Sequence, residues 1–265
     1  GSKKPGSSLF AGCTSLTNLI IGDGIETVGS SMFEGCTSLA TITLPATVKT
    51  IEKSAFMDNS SLTGIALPAS LEEIKDSAFT RCGALTTFSI DNAAAKINKG
   101  VFKDCTSLVN VDLGNAVTLI SDNSFDGCTS LTSITLPGTA KLDSYVFNGC
   151  SNLETVTLGE GAMTIGNAVF FACTKLKNVT LPSTLKSMGT MVFSNCESLS
   201  AITLPTALER VGNSSFAVCT TLQNVTIQEG VTAIGNYVFR GCSKLATITL
   251  PSTITEVGTA AFYGC

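Results

Sequence analysis

The stretch Phe33-Glu34-Gly35-Cys36-Thr37-Ser38-Leu39-Ala40-Thr41-Ile42-Thr43-Leu44-Pro45 decides the architecture, because variants of it fill nearly the whole chain. Its skeleton is F-x-x-C-x-x-L-x-x-I-x-L, followed by two spaced apolar residues, Val48 and Ile51, before the next phenylalanine at Phe56. Twelve phenylalanines keep the register: Phe10, Phe33, Phe56, Phe79, Phe102, Phe125, Phe147, Phe170, Phe193, Phe216, Phe239 and Phe262. Each interval is 23 residues except Phe125 to Phe147, which is 22. A fixed period of this size marks a solenoid whose units stack because none can bury its apolar face alone. The shortened unit loses its residue between Pro137 and Leu142, so a tightened loop is expected there without loss of stacking.

Inside each unit the segment after leucine alternates, as in Thr41-Ile42-Thr43-Leu44, Ser133-Ile134-Thr135-Leu136 and Thr247-Ile248-Thr249-Leu250. A β-branched pattern of period two, closed by proline or glycine, predicts a short strand, and stacked units predict about 11 strands in one parallel sheet. Proline ends the strand at Pro45, Pro68, Pro137, Pro182, Pro205 and Pro251, where no internal ladder N–H is lost. Glycine follows the next apolar pair at Gly29, Gly166, Gly189, Gly212, Gly235 and Gly258, which predicts a bend with positive φ or a close backbone approach. The segment around each phenylalanine is too short for more than one helical turn, expected on the convex side. Seven positions per unit point inward, in the second unit Cys36, Leu39, Ile42, Leu44, Val48, Ile51 and Phe56.

The G-C-T-S-L, I-T-L-P and apolar-Gly-x-x-x-F elements resemble the leucine-rich repeats of the BspA-like (Treponema pallidum type) family, over residues 9–265. Departures fall at Asn59, which takes a cysteine position, and at Asp91 and Gly114, which replace the strand-ending proline. The resemblance implies a right-handed repeat solenoid of β/α type with short helical turns, and an extracellular or cell-surface module for adhesion or protein interaction. It carries over no catalytic residue. Residues 1–8 read as a tag or linker and residues 9–265 as one solenoid, a fragment of a longer array, whose open ends fit end-to-end self-association.

Composition narrows the function further. Charged residues make up 14 % of the chain against 44 % apolar, with a net charge of −4, so there is no basic stripe for nucleic acid. No run of about 18 apolar residues is present to insert in a bilayer, and no leader with a cleavage site is seen in this sequence. Eleven cysteines recur without a C-x-x-C pair, and histidine is absent, which excludes the usual zinc sets and Ser-His or Cys-His catalysis. No phosphate-binding glycine motif occurs, and Glu72-Glu73 reads as a solvated turn. The expectation is a non-enzyme without cofactor or metal, with a ladder of buried free thiols. N-x-S/T sequons stand at Asn59, Asn178, Asn213 and Asn224. Tyr145, Phe171, Tyr237 and Tyr263 lie beside the repeat phenylalanines, Phe88 reads as core, and Lys96, Lys99 and Lys103 form a small basic cluster.

The outward strand positions form the candidate binding face: Thr41, Thr43, Asn110, Asp112, Thr135, Thr157, Thr180, Thr203, Thr226 and Thr249. Threonine also favours strands for its own sake, so this ladder is either a structural habit or a polar contact surface. Asp112 is its charged member and marks the least repetitive region. Three functions fit: a module binding a protein or glycan ligand through the solenoid surface, a structural spacer or self-assembling stalk, and an ice-binding Thr-x-Thr surface.

Overall fold

A computed structural model describes residues 5–90 and 96–265. Asp91 lies outside the described residues. The chain divides into two compact units, Gly1–Leu131 and Thr132–Cys265, each a parallel-strand solenoid with the 23-residue period. The alternating segments form strands as expected, but they do not join into one long sheet. In the first unit Thr41–Thr43 pairs Gly64–Ala66, and Thr87–Ser89 pairs Asn110–Asp112. In the second, Ser133–Leu136, Thr155–Leu158 and Asn178–Thr180 form one sheet, and Ala201–Leu204 pairs Asn224–Ile227.

The longer ladder runs elsewhere, through two-residue strands further along each repeat. In the first unit these are Thr27–Val28, Thr50–Ile51, Glu73–Ile74, Lys96–Ile97 and Leu119–Ile120. In the second unit they run from Lys141–Leu142 through Thr164–Ile165, Ser187–Met188, Arg210–Val211 and Ala233–Ile234 to Glu256–Val257. Where a proline precedes the strand, the turn closes on its carbonyl, as where Val48 N–H donates to Pro45 O and Leu208 N–H to Pro205 O, both at 3.1 Å, and elsewhere on another residue, as where Ala162 N–H donates to Gly159 O and Val231 N–H to Gln228 O. Proline fixes φ there and needs no N–H of its own.

All seven inward positions of the second repeat are buried, none more than 6 % exposed. The phenylalanines stack face to face, with centroids 5.4 Å apart for Phe10 and Phe33 and 5.3 Å for Phe170 and Phe193. Phe88 replaces an aliphatic residue and tilts against Phe102 at 4.3 Å. Cys36, Cys82, Cys105, Cys128, Cys150, Cys173, Cys196, Cys219 and Cys242 are free and buried. Their thiols are anchored. Cys82 Sγ donates to Phe56 O at 3.1 Å, and Cys105, Cys196 and Cys219 each bond the phenylalanine carbonyl 26 residues back. Burial pushes the Cys82 thiol up to about 12 and holds those of Cys105, Cys173 and Cys196 well above the ordinary range, which leaves them inert.

The segment around each phenylalanine differs from the helical turn that was expected: among the described residues there is no helix. In every turn two residues flanking the phenylalanine, at two positions before and two after, are left-handed. Ser31 and Gly35 have φ of 51° and 69°, Tyr145 and Gly149 have 59° and 67°, and Ser214 and Val218 have 55° and 62°. Each reversal turns a peptide plane, so N–H groups alternate between two tasks. Ser31, Phe33 and Gly35 donate to Lys53, Ala55 and Met57 of the next turn, while Met32, Glu34 and Cys36 close three-residue turns on Gly29, Ser31 and Phe33. A helix would spend all of these N–H groups inside one turn. The alternation instead stitches successive turns together along the phenylalanine segment.

The corner glycines are settled in favour of close approach. None of the six has positive φ. A Cβ on Gly212 would lie 2.0 Å from Gly189 O, and one on Gly166 would lie 2.4 Å from Asp143 O. The shortened unit behaves similarly. Gly138 and Gly159 are packed backbone to backbone, and a Cβ on Gly138 would meet Glu160 O at 1.8 Å. The turn from Pro137 to Ala140 keeps its usual hydrogen bond, so the deletion falls after it, at Lys141.

Candidate interaction face

The pleat sends alternate strand residues outward, and every proposed face residue is solvent-facing. Thr157 alone is half-buried, and Thr41, Thr43, Asn110, Asp112, Thr135, Thr180, Thr203, Thr226 and Thr249 are exposed. Register brings them together in separate groups. Thr43 stands opposite Ala66 and Asp112 opposite Ser89 in the first unit. In the second unit Thr135, Thr157 and Thr180 form one row and Thr203 with Thr226 another, while Thr249 follows outside a strand.

Asp112 has a local task. Gly114 N–H donates to its Oδ1 at 3.0 Å, so the carboxylate closes the turn where the strand-ending proline is lacking. Gly114 takes φ 55° in that turn.

The strand face of the second unit carries two grooves. A groove of about 620 Å³ is lined by Glu160, Lys177, Asn178, Thr180, Ser200, Thr203 and Gln228, among others. A second, of about 730 Å³, is lined by Thr226, Glu229, Thr249, Leu250 and Ser252 and shares Thr206 and Gln228 with the first. The two form one trough across the strands. Asn178 and Asn224, both sequon residues, stand exposed on these strands, whereas Asn59 is fully buried.

Charge at the trough is internally compensated. Lys177 Nζ sits 3.1 Å from Glu154. Ser183 donates its N–H and its hydroxyl to the two oxygens of Glu160, at 3.1 and 2.9 Å. Ser252 does the same for Glu229, at 3.2 and 3.0 Å, and these bonds hold the Glu229 carboxyl below the usual range. The following glycines, Gly161 and Gly230, donate to Thr184 and Thr253 of the next turn. These clamps escape a residue-by-residue reading. Their signal is Glu-Gly followed by Ser-Thr 23 positions later, visible only when successive repeats are aligned.

Among the described residues no cluster of three or more His, Cys, Asp or Glu side chains is placed to hold a metal, and no helix is long and apolar enough to cross a membrane. Lys103 of the basic cluster is paired with Asp126. Tyr145, Tyr237 and Tyr263 are exposed beside the phenylalanine stack, away from the trough.

The BspA type leucine rich repeat region matches at residues 3–109, 72–162 and 140–265. No curated protein sequence matches the chain. Among solved structures, a leucine rich cell surface protein from Faecalibacterium prausnitzii A2-165 is 30 % identical over 99 % of this chain and 80 % of its own, with a TM-score of 0.59. The leucine rich repeat protein of T. pallidum is 27 % identical over 69 % of this chain and 78 % of its own, with a TM-score of 0.51. With six copies of the family's repeat spread over nearly its whole length, the chain belongs to the BspA-type leucine-rich repeat family.

Proposed function

We propose that this chain is a non-catalytic interaction module of a cell surface, and that the trough on the strand face of the second unit is its contact surface. The observation that carries the reading is the trough itself: a concavity whose lining includes Thr180, Ser200, Thr203, Thr206, Thr226 and Gln228, with side-chain hydroxyls and an amide that the fold does not consume. Solenoids present extended surfaces of this kind. The buried, inert thiols and the lack of histidine for a Ser-His or Cys-His pair support the non-catalytic reading. The cell-surface relative from F. prausnitzii supports the location.

The test is binding of labelled protein to epithelial and microbial cells. Thr203→Arg with Gln228→Arg fills the trough with bulk and charge at exposed positions, so binding should fall at least about tenfold with Tm unchanged. Tyr145→Ala with Tyr237→Ala should leave binding intact. The reverse pattern moves the contact to the convex side, and no cell binding by the unaltered protein favours the spacer reading.

A further inference from the structure

We infer that the trough is a site for an uncharged linear oligosaccharide lying across the strands, a deepening that rests on the interaction reading above. The first ground is the state of its polar groups. Thr180, Ser200, Thr203, Thr206, Thr226 and Gln228 line it and use no side-chain hydrogen bond within the fold. Threonine and serine hydroxyls both donate and accept, and the glutamine amide does the same with separate atoms. That two-way capacity matches a sugar hydroxyl, which is likewise donor and acceptor.

The second ground is charge. Lys177 is held by Glu154, and both oxygens of Glu160 and Glu229 already accept from Ser183 and Ser252. Among the residues lining the trough Lys177 is the one cation and it is paired, and the two carboxylates at the rim disfavour a sulfate, phosphate or uronate. The third is what is lacking for a protein partner. The lining contains no Tyr, Trp or Arg, the residues on which protein interfaces concentrate their binding energy.

Geometry supplies the direction. Thr203 and Thr226 stand in register on neighbouring strands, so their hydroxyls repeat at about the 4.8 Å strand spacing. A chain ligand of similar repeat meets equivalent groups turn after turn. Each contact is weak, and several together give useful affinity at a cell surface through multivalency.

The experiment is an amide-shift titration of the whole chain by NMR, with neutral hexasaccharides of glucose, mannose, xylose and N-acetylglucosamine, and with hexagalacturonate and hexalysine as charged probes. At least one neutral hexasaccharide should give saturable shifts confined to the strands 178–180, 201–204 and 224–227. Thr203→Val with Thr226→Val keeps the shape and removes two hydroxyls, and should weaken that binding about tenfold or more. Tyr237→Ala should not change it. Shifts only with a charged probe, equal affinity in the valine variant, or no shift with any neutral hexasaccharide would each overturn the inference. If neutral sugars fail while the Thr203→Arg, Gln228→Arg protein still loses cell binding, the trough remains the contact face and only the ligand class is wrong.

Discussion

The two units solve the same corner largely in opposite ways. After the two-residue strand the first unit places Gly29 once and then Glu52, Lys75, Asn98 and Ser121, whereas the second places Asp143 once and then Gly166, Gly189, Gly212, Gly235 and Gly258. In the first unit side chains do the stitching: Lys75 Nζ lies 2.9 Å from Glu52, and Asn98 Nδ2 donates to Ile74 O at 2.9 Å. In the second the backbones close up, and the next residue bonds across turns, with Thr190 N–H on Asn167 Oδ1 and Asn236 N–H on Asn213 Oδ1, both at 2.9 Å. One period is therefore compatible with two corner chemistries. The shared part is the core of stacked phenylalanines and anchored thiols, and the corners vary because each needs only to join one turn to the next.

The thiol column gives the largest expected effect and a way to rank the units. In the unfolded chain a cysteine ionises near 9.0, while burial raises Cys82 and Cys242 to about 12 in the folded protein. A raised folded value means that the stabilisation is complete below the unfolded value and is lost as pH climbs toward the folded one. Each such thiol should therefore cost about 1.4 kcal/mol per pH unit within that window. The second unit buries Cys150, Cys173, Cys196, Cys219 and Cys242, and the first buries Cys36, Cys82, Cys105 and Cys128 with Asn59 in the column. Hydrogen exchange at about pH 10 under reductant, compared with neutral pH, should show the second unit weakened more, and Cys196→Ala should remove part of the alkaline loss. Equal alkaline and neutral stability would mean that the thiols are not held protonated.

Corner exchange breaks the comparison directly. Gly212→Ala forces a methyl into the space of the Gly189 carbonyl and should cost about 3 kcal/mol in urea melts. Ser121→Ala, at the same register in the first unit, should stay within about 0.5 kcal/mol. Similar losses at both positions would show that the two corners are packed alike.

Much of this was legible in the sequence, and the limits are physical. The inward set could be read because a buried slice needs large apolar residues at fixed spacing, and Phe, Cys and Leu recur without ambiguity. The outward threonines followed from the pleat. The convex segment was misread as a helical turn because its left-handed residues are mostly ordinary ones, Tyr145, Met191 and Val218 among them, and carry no glycine signal. The longer ladder was hidden because two-residue strands are too short to show a period. Asp112 stood out as a functional anomaly, yet its carboxylate closes its own turn. The trough rested on no single residue type, since its depth comes from neighbouring turns.

Asn59 is the flaw in the first unit's column. Its Nδ2 donates to Phe56 O at 3.0 Å, but its Oδ1 is buried with no partner. Cysteine at that position would bond as its neighbours do and leave no orphan acceptor. Asn59→Cys should therefore stabilise the protein by about 1 to 2 kcal/mol, read as a shift in the denaturant midpoint at unchanged slope. A destabilised variant would show that the amide is satisfied, and that the column tolerates asparagine as readily as cysteine.

The smallest effect concerns the left-handed positions two residues after each phenylalanine. Glycine occupies Gly12, Gly35 and Gly127 in the first unit and Gly149, Gly241 and Gly264 in the second, while Arg81 and Val218 hold the same conformation at φ 59° and 62°. An L-residue there costs about 1 to 2 kcal/mol, and glycine recovers most of it while losing about 0.5 to 1 kcal/mol of chain entropy on folding. Val218 is β-branched and 37 % exposed, and its polar contact is through the backbone, so Val218→Gly should stabilise by roughly 0.5 to 1 kcal/mol. Arg81 is a different case, because its guanidinium forms a two-point pair with Asp58 at 2.6 and 2.7 Å across turns. Both partners are exposed, so the pair contributes at most about 1 kcal/mol, enough to cancel the conformational gain. Arg81→Gly should then be neutral where Val218→Gly is favourable. A gain at both positions would mean that the ion pair contributes nothing. A loss at Val218 would mean that its side chain, and not the backbone bonds from Val218 N–H to Arg240 O and its equivalents, keeps the convex turn in place.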